Sequence, residues 1–220
     1  NNIINNSIWN CTVGGNYACI HINDWAQSNI FTDNRINLSG GYGIRIDADH
    51  NVFKNTNMTN INGRASIYVE SGEVNNTFIN FSYNNETIDS GGQIIRKWYY
   101  RSYVNDTLGN NVSANVSLYN VSGDYIDSLT SSDTSGYTST YEIIEYVNDG
   151  GTISYYSNYS IVAVNSSYTT LNQSYNVSAS QNNLEYVFEL SLGANLTFCG
   201  ILDQANTTYL LQNNLSTTET

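Results

Sequence analysis

The sequence predicts an all-β protein that consists of a short stack of parallel strands, a β-sandwich and a C-terminal β segment. Three observations predict it. Residues 1–95 repeat one apolar pattern every 22 to 27 residues, and residues 97–190 alternate apolar and polar positions between frequent turn signals. Tyrosine, which favours strand faces with one solvated edge, occurs 19 times in the 220 residues.

The repeat in residues 1–95 has three apolar columns. The first runs through Asn2-Ile3-Ile4, Asn29-Ile30-Phe31, Asn51-Val52-Phe53 and Asn76-Thr77-Phe78, the second through Ile8, Ile36 and Met58, and the third through Cys19-Ile20-His21-Ile22, Gly43-Ile44-Arg45-Ile46 and Ser66-Ile67-Tyr68-Val69. Because like residues recur in register, each repeat buries its Ile or Phe column on the next. Asparagines at the corners are then placed to form hydrogen-bonded ladders.

This region resembles the right-handed parallel β-helix repeats of the family named after periplasmic copper-binding proteins. Such repeats also occur in large archaeal surface proteins. The resemblance covers about four repeats and rests on the Asn-x-[Ile/Phe] and Gly-[Ile/Val]-x-[Ile/Val] columns. It implies a fold and says little about activity. Copper binding does not carry over, because His21 and His50 have no cysteine or second histidine at ligand spacing.

The middle region, residues 96–191, is predicted to be a β-sandwich. Along its strands the apolar residues of 112–118, and further on Tyr175, Val177 and Ala179, are predicted to point inward, which leaves Asn115 and Asn176 facing out. Its turn signals are Asn105-Asp106, Gly109-Asn110, Ser122-Gly123-Asp124, Ser132-Asp133, Asn148-Asp149-Gly150-Gly151 and Gln181-Asn182-Asn183. Residues 104–119 look like the first two strands of a carboxypeptidase-regulatory-like domain, and residues 133–137 fit that family's Asp-x-x-Gly turn. The resemblance implies an immunoglobulin-like sandwich, although Asn111 stands where the family usually has proline.

The C-terminal segment, residues 192–220, is similar to strands that open a new β-helix in archaeal surface proteins. We therefore predict three domains: a parallel β-helix over 1–95, an immunoglobulin-like sandwich over 96–191, and a segment over 192–220 that starts or caps another β-helix. The chain opens within a repeat at Asn1, so we expect a mature product or an excised piece. Either the chain is a window on a tandem protein, or residues 192–220 of one copy cap the first repeat of the next.

The pattern Asn-x-Ser/Thr, the acceptor signal for N-glycosylation, occurs 18 times. With 36 asparagines and 46 serines or threonines, chance predicts only about 8 matches. The acceptors are Asn5, Asn10, Asn37, Asn57, Asn75, Asn80, Asn85, Asn105, Asn111, Asn115, Asn120, Asn158, Asn165, Asn172, Asn176, Asn195, Asn206 and Asn214. The alternative is an Asn-rich solenoid whose turns alternate Asn with Ser or Thr. The excess favours heavy N-glycosylation and therefore an extracellular, cell-surface location.

The charge pattern excludes one class of partner and supports the surface location. The formal net charge is −12, so a nucleic acid would be repelled. All seven basic residues precede position 102, which leaves trypsin-like proteases no cleavage site beyond it. No apolar run of 18 residues occurs, so no membrane span is predicted.

Carboxylates follow the third apolar column in consecutive repeats. The candidates are Asp24, Asp47 and Glu70. Stacked strands lie about 4.8 Å apart, so Asp47 and Glu70 are expected side by side with Asn23, which precedes Asp24. Three interpretations stay open. The cluster is a solvated turn, a calcium site, or the acid pair of a polysaccharide-cleaving enzyme. Of the three cysteines, Cys11 and Cys19 lie in one repeat and are candidates for a disulfide, which leaves Cys199 free or intermolecular.

Taken together, the sequence predicts a non-enzymatic, heavily N-glycosylated structural protein without a cofactor other than its covalent glycans. It would be a subunit or repeat of a surface filament, sheath or surface layer, and its partners would be copies of itself and surface glycans. Two alternatives remain. One is a carbohydrate-active β-helix enzyme, a lyase or hydrolase that uses Asp24, Asp47 and Glu70. The other is a carbohydrate-binding adhesin module that uses exposed tyrosines.

Overall fold

A computed structural model describes residues 1–12, 15, 17–59, 64–196 and 208–211. In this part of the chain every regular element is a β-strand, as the sequence predicts. The strands are β1 (Asn2–Ile4), β2 (Ser7–Thr12), β3 (Ala18–Ile22), β4 (Ile30–Thr32), β5 (Arg35–Ser39), β6 (Tyr42–Ile46), β7 (Val52–Lys54), β8 (Asn57–Thr59), β9 (Ile67–Val69), β10 (Asn76–Ile79), β11 (Glu86–Ile88), β12 (Gln93–Asp106), β13 (Asn115–Tyr119), β14 (Tyr125–Thr130), β15 (Tyr141–Asp149), β16 (Thr152–Tyr155), β17 (Tyr159–Val164), β18 (Leu171–Tyr175), β19 (Asn183–Leu190), β20 (Gly193–Leu196) and β21 (Thr208–Leu211). Within these residues no helix has the length and apolar character that crossing a membrane requires.

The first twelve strands form three parallel sheets, in which each strand pairs with its counterpart from the next repeat. The sheets run β1-β4-β7-β10-β12, β2-β5-β8 and β3-β6-β9-β11. The predicted columns fall in register, since Phe31 is aligned with Phe53 and Phe53 with Phe78. Three short strands per repeat therefore follow directly from the apolar periodicity of the sequence.

A column of stacked phenylalanines lies at the centre of these sheets. The ring centroids of Phe31 and Phe53 are 4.7 Å apart, as are those of Phe53 and Phe78, and both pairs are stacked. The spacing of the rings matches the spacing of neighbouring strands, so stacking needs no distortion of the backbone. Burying each ring contributes about 2 to 3 kcal/mol.

The chain divides into two compact units. Unit 1 comprises Asn1–Tyr99, Glu142–Ser157 and Val177–Asn182, and unit 2 comprises the remaining residues. In unit 1 the first sheet continues through β15 and β16, which form an antiparallel hairpin. The units interleave along the chain, whereas the three predicted domains are contiguous, and the boundaries of those domains stay predictions.

Unit 2 contains an antiparallel sheet in the order β14-β13-β17-β18. The predicted alternation along 112–118 is confirmed, because Val112, Ala114, Val116 and Leu118 are buried. Tyr175 and Val177 are buried as well, but Ala179 is exposed where the sequence predicted an inward side chain. The reason is that β18 ends at Tyr175 and a turn follows, so the two-residue alternation stops there.

Candidate functional site

The asparagines of unit 1 fall into classes with different roles, and one class is a buried ladder. The backbone N and Nδ2 of Asn29 each donate to Oδ1 of Asn51 at 3.0 Å. Asn51 donates in the same way to Oδ1 of Asn76, at 3.0 and 3.3 Å. All three side chains are buried. Each amide thus satisfies polar groups of the neighbouring repeat, as the expected corner ladder does.

A second class occupies left-handed turns. Asn5, Asp33, Asn55 and Asn80 follow one another repeat by repeat, with φ between 48° and 56°. Asn and Asp adopt this conformation more readily than other residues that have a Cβ atom. Nδ2 of Asn80 also donates to Oδ1 of Asn55 at 3.0 Å. Part of the asparagine content therefore has a purely structural cause.

The acceptor asparagines are separated from the buried ones. The side chains of 14 of the 18 acceptors are described, and none of these is buried. Eight are exposed: Asn5, Asn57, Asn75, Asn85, Asn115, Asn158, Asn172 and Asn176. Six are half-buried: Asn37, Asn80, Asn105, Asn111, Asn120 and Asn165. The described asparagines that are buried are Asn29, Asn34, Asn51, Asn76 and Asn148, and none of the five is itself an acceptor.

Four acceptors and one cysteine cannot be placed in this way. The side chains of Asn10 and Asn195, together with all of Asn206, Asn214 and Cys199, lie outside the residues whose side chains are described.

The acceptor amides differ in what their Nδ2 atoms contact. Nδ2 of Asn111 donates to the carbonyl of Thr134, and Nδ2 of Asn165 donates to the carbonyl of Ser113, both at 2.7 Å. In Asn85 it is Oδ1 that is held, because it accepts from N and Oγ of Ser66 at 2.9 and 3.1 Å. Nδ2, the atom to which a sugar is attached, then has no hydrogen-bond partner among the described residues. Asn85 is thus a preoriented and exposed acceptor.

Of the three carboxylates that the sequence singled out, Asp47 and Glu70 meet at Arg45, whereas Asp24, which the structure also describes, has no contact with it. Nε of Arg45 donates to both carboxylate oxygens of Asp47, at 2.9 and 3.0 Å, and its guanidinium also donates to Glu70. Nε2 of His21 lies 2.6 Å from Oδ2 of Asp47. His21, Arg45 and Tyr68 share one register position in consecutive repeats, which is how the topology brings these groups together.

The surroundings keep Asp47 ionised. Burial raises the pKa of its carboxyl, but the hydrogen bonds from Arg45 and His21 outweigh burial, so its pKa is lowered. Asp24 is exposed. Burial, followed by the charges of Asp49 and Asp24, raises the pKa of Glu73. In the part of the chain that is described, no group of three or more His, Cys, Asp or Glu side chains has the arrangement of a metal site.

Cys11 and Cys19 are joined in a disulfide, with their Cα atoms 5.8 Å apart. The bridge links β2 to β3 within the first repeat. It closes a loop of about eight residues, so it restricts the unfolded chain only locally.

Unit 1 also contains an open pocket of about 280 Å³ that the sequence did not reveal. It is lined by Tyr83, Asn84, Asn85, Glu86, Arg96, Glu145, Tyr146, Ile153 and Tyr155. Arg96 lies over the Tyr83 ring, 4.7 Å from its centroid, and its Nε is 3.2 Å from Oε2 of Glu145. The lining residues come from three distant stretches of the chain, and the only signal in the sequence is the acceptor pattern at Asn85.

Two tyrosines of this pocket, Tyr83 and Tyr146, are kept in their neutral form. Burial, and after it the charge of Glu86, raises the pKa of Tyr83 well above its ordinary value. Burial likewise raises the pKa of Tyr146 to about 12. Both hydroxyls therefore keep the protons that they donate to Glu86 at physiological pH.

No protein-family model, no curated protein and no solved structure that was compared matches this chain. The resemblances on which the sequence analysis relied therefore stay predictions.

Proposed function

We propose that the chain is a heavily N-glycosylated, non-enzymatic structural protein of the extracellular surface, part of a filament, sheath or surface layer. The observation that carries the proposal is the separation of the asparagines. Every acceptor whose side chain is described is exposed or half-buried, whereas none of the five buried asparagines is an acceptor. A glycan needs an accessible amide, and the described acceptors meet that requirement.

In this proposal residues 1–95 form a right-handed parallel β-helix, followed by an immunoglobulin-like sandwich. Support for the first comes from three parallel sheets with aligned Ile and Phe columns. Support for the second comes from the antiparallel sheet β14-β13-β17-β18 with its buried alternate positions. A stack of such repeats is stiff, and sugars with the negative charge keep it hydrated.

Copies of the chain associate end to end through the first repeat. Among the described residues, β1, β2 and β3 are the edge strands of their sheets, and edge strands pair readily with a further repeat, of the same longer chain or of another copy. Tyr17 and Trp25 of this repeat are 75% and 96% exposed. Exposed aromatic side chains beside unpaired strand edges are typical of an interaction surface.

The carboxylate cluster favours this proposal over a polysaccharide-cleaving enzyme. A general acid needs a raised pKa, whereas the pKa of Asp47 is lowered and its two oxygens are held by Arg45 and His21. The double variant Asp47→Asn/Glu70→Gln is a direct test. We expect any activity on polysaccharides to be absent before and after the change, and turnover that the variant loses while it stays folded would support the enzyme instead.

Intact mass and glycopeptide mapping of protein from its native source test the proposal as a whole. We expect a mass several kilodaltons above the 24.5 kDa of the bare chain, with sugar on many of the 18 acceptors. A bare chain of 24.5 kDa would overturn the proposal.

A further inference from the structure

The acceptor Asn85 lies on a loop that is held in place by hydrogen bonds to one buried serine, Ser66. Oγ of Ser66 accepts hydrogen bonds from the backbone N of Asn84 and of Asn85, at 3.1 and 3.3 Å. It also donates to Oδ1 of Asn85 at 3.1 Å, and the serine is fully buried. The amide plane of Asn85 is therefore set by the protein rather than by solvent.

Glu86, the middle residue of the same acceptor pattern, holds the loop through a second set of hydrogen bonds. The carboxylate of Glu86 accepts hydrogen bonds from the hydroxyls of Tyr83 and Tyr146 and, at 2.6 Å, from Nδ2 of Asn148. Tyr146 and Asn148 belong to β15, so the loop is joined to the β15–β16 hairpin. A sugar on Asn85 would start from a rigid position beside that hairpin.

The hairpin presents uncovered apolar surface to the pocket. Ile153 and Tyr155 line the pocket and are 42% and 54% exposed. In the described part of unit 1, the other large exposed apolar side chains are those of the first repeat and Ile30, at the start of the second. All four residues of β16 are exposed, and β16 is the last strand of its sheet. Such an edge is a hazard for aggregation unless something covers it.

We propose that the first sugar of the glycan on Asn85 occupies this pocket and covers Ile153 and Tyr155. A pyranose ring has one face of C–H groups, which packs on an aromatic ring, and hydroxyls that hydrogen-bond to groups such as Arg96 and Glu145. A pocket of about 280 Å³ is of the size for one such ring. The Tyr155 ring packs against Tyr146, with ring centroids 5.6 Å apart. The aromatic surface on which the sugar packs is therefore preformed in the protein. This inference rests on the proposed function, because it requires that Asn85 be glycosylated.

A second pocket shows that proximity of acceptors to a cavity is not sufficient. About 250 Å³ in volume, it is lined by Asn55, Thr56, Asn57, Asn80 and Ser82, of which Asn57 and Asn80 are acceptors. It offers no aromatic or aliphatic side chain on which a sugar ring could pack. The Asn85 pocket differs because it combines a preoriented acceptor with exposed apolar side chains.

The test uses the glycosylated full chain and a tyrosine-selective chemical label, with Tyr155 read out by mass spectrometry. Thr87→Ala removes the acceptor pattern at Asn85 but leaves Asn85, Glu86 and their hydrogen bonds intact, and Thr87 is exposed. Ser174→Ala is the matched control, because it removes the pattern at Asn172. That residue is also an exposed acceptor and lies on β18. We expect the labelling of Tyr155 to rise at least threefold in Thr87→Ala and to stay unchanged in Ser174→Ala. Enzymatic removal of glycans from the folded wild type should have the same effect as Thr87→Ala.

The outcomes separate this inference from the function on which it rests. If Asn85 carries a sugar and the labelling of Tyr155 is the same in wild type, Thr87→Ala and deglycosylated protein, the pocket is not the sugar's site. If glycopeptide mapping finds Asn85 bare while other acceptors are occupied, the inference is likewise overturned, and the proposed function stands. If no acceptor carries a sugar, both fail.

Discussion

Nε1 of Trp98 donates a hydrogen bond of 2.6 Å to Oε2 of Glu145, and both side chains are buried. The same oxygen lies 3.2 Å from Nε of Arg96, whose guanidinium lies 5.0 Å from the centroid of the Trp98 ring. Glu145 is therefore the anion that balances a largely buried cation. Removing it leaves Arg96 without a charged partner and Trp98 without its acceptor.

We expect Glu145→Ala to lower the free energy of unfolding by about 3 kcal/mol, measured by urea denaturation. The matched control is Glu142→Ala on the same strand, because Glu142 pairs with Lys54 at 2.8 Å while both side chains are partly exposed. That loss should stay below about 1 kcal/mol. Equal losses of unfolding free energy in the two variants would contradict the conclusion that Glu145 stabilises the fold as a buried ion-pair partner.

The Asn29-Asn51-Asn76 ladder predicts a large difference between two asparagine substitutions. Asn51→Ala removes the acceptor for two donors of Asn29 and should cost about 3 kcal/mol, because buried donors are left unpaired. Asn57→Ala, at an exposed acceptor, should change stability by less than about 0.5 kcal/mol in unglycosylated protein. Thermal or urea unfolding of both variants measures this difference. An equal loss of stability in the two variants would refute the division into buried ladder asparagines and exposed acceptors.

The ion pairs of Asp47 predict a pH dependence with a definite sign. Since the pKa of Asp47 is lowered in the folded state, its contribution to stability is present above about pH 4 and is lost as the pH falls through its folded pKa. The stability gap between wild type and Asp47→Asn should therefore be largest near neutral pH and narrow in acid. Glu73, with its raised pKa, acts in the opposite direction in both proteins. The part of its shift that comes from burial and from Asp49 and Asp24 cancels from the gap, whereas the part that comes from the charge of Asp47 is lost in Asp47→Asn.

The control for this pH dependence is Arg45→Gln, alone and combined with Asp47→Asn. In the Arg45→Gln background most of the gap at neutral pH should disappear, because Arg45 is the main cation that holds Asp47. A gap that is independent of pH, or of Arg45, would show that Asp47 acts through packing alone.

End-to-end association predicts that Trp25 matters more than other exposed apolar residues. Trp25→Ser should shift the sedimentation profile of concentrated protein toward the single chain by removing an aromatic contact of the first repeat. Leu108→Ser changes another strongly exposed apolar side chain, outside that repeat, and should leave the profile as in the wild type. The same loss of association in both variants would place the contact elsewhere.

The parallel sheets could be predicted because their information is local and repeated. Each repeat carries the same apolar positions, so the register of Ile44 with Ile67 follows from aligning the sequence with itself. The alternation along 112–118 was readable for a similar reason, since one strand shows its own period. Ala179 was misplaced because the end of β18 is set by the turn that follows it, which the alternation does not reveal.

The pocket beside Asn85 could not be predicted from the same patterns. Glu86 and Tyr146 are 60 residues apart, and they meet only because the β15–β16 hairpin extends the first parallel sheet. No periodicity in the sequence encodes that attachment. The contact of His21 with Asp47 was not predicted either. The carboxylates were located by their position after the third apolar column, and the exposed histidine of the preceding repeat was not placed beside them.

The buried asparagine ladder bears on how such a chain grows over evolutionary time. Asn1 donates to Asn29, Asn29 to Asn51 and Asn51 to Asn76, so Asn29, Asn51 and Asn76 each offer the same acceptor, Oδ1, to the asparagine of the preceding repeat. A tandem duplication of one repeat would thus inherit its neighbours' chemistry unchanged and need no compensating mutation. That freedom ends at Asn76, where Ile94 takes the equivalent position and Nδ2 of Asn76 has no partner among the described residues. New copies are expected to be gained and lost before this boundary, and the genes of related chains should differ there by whole repeats.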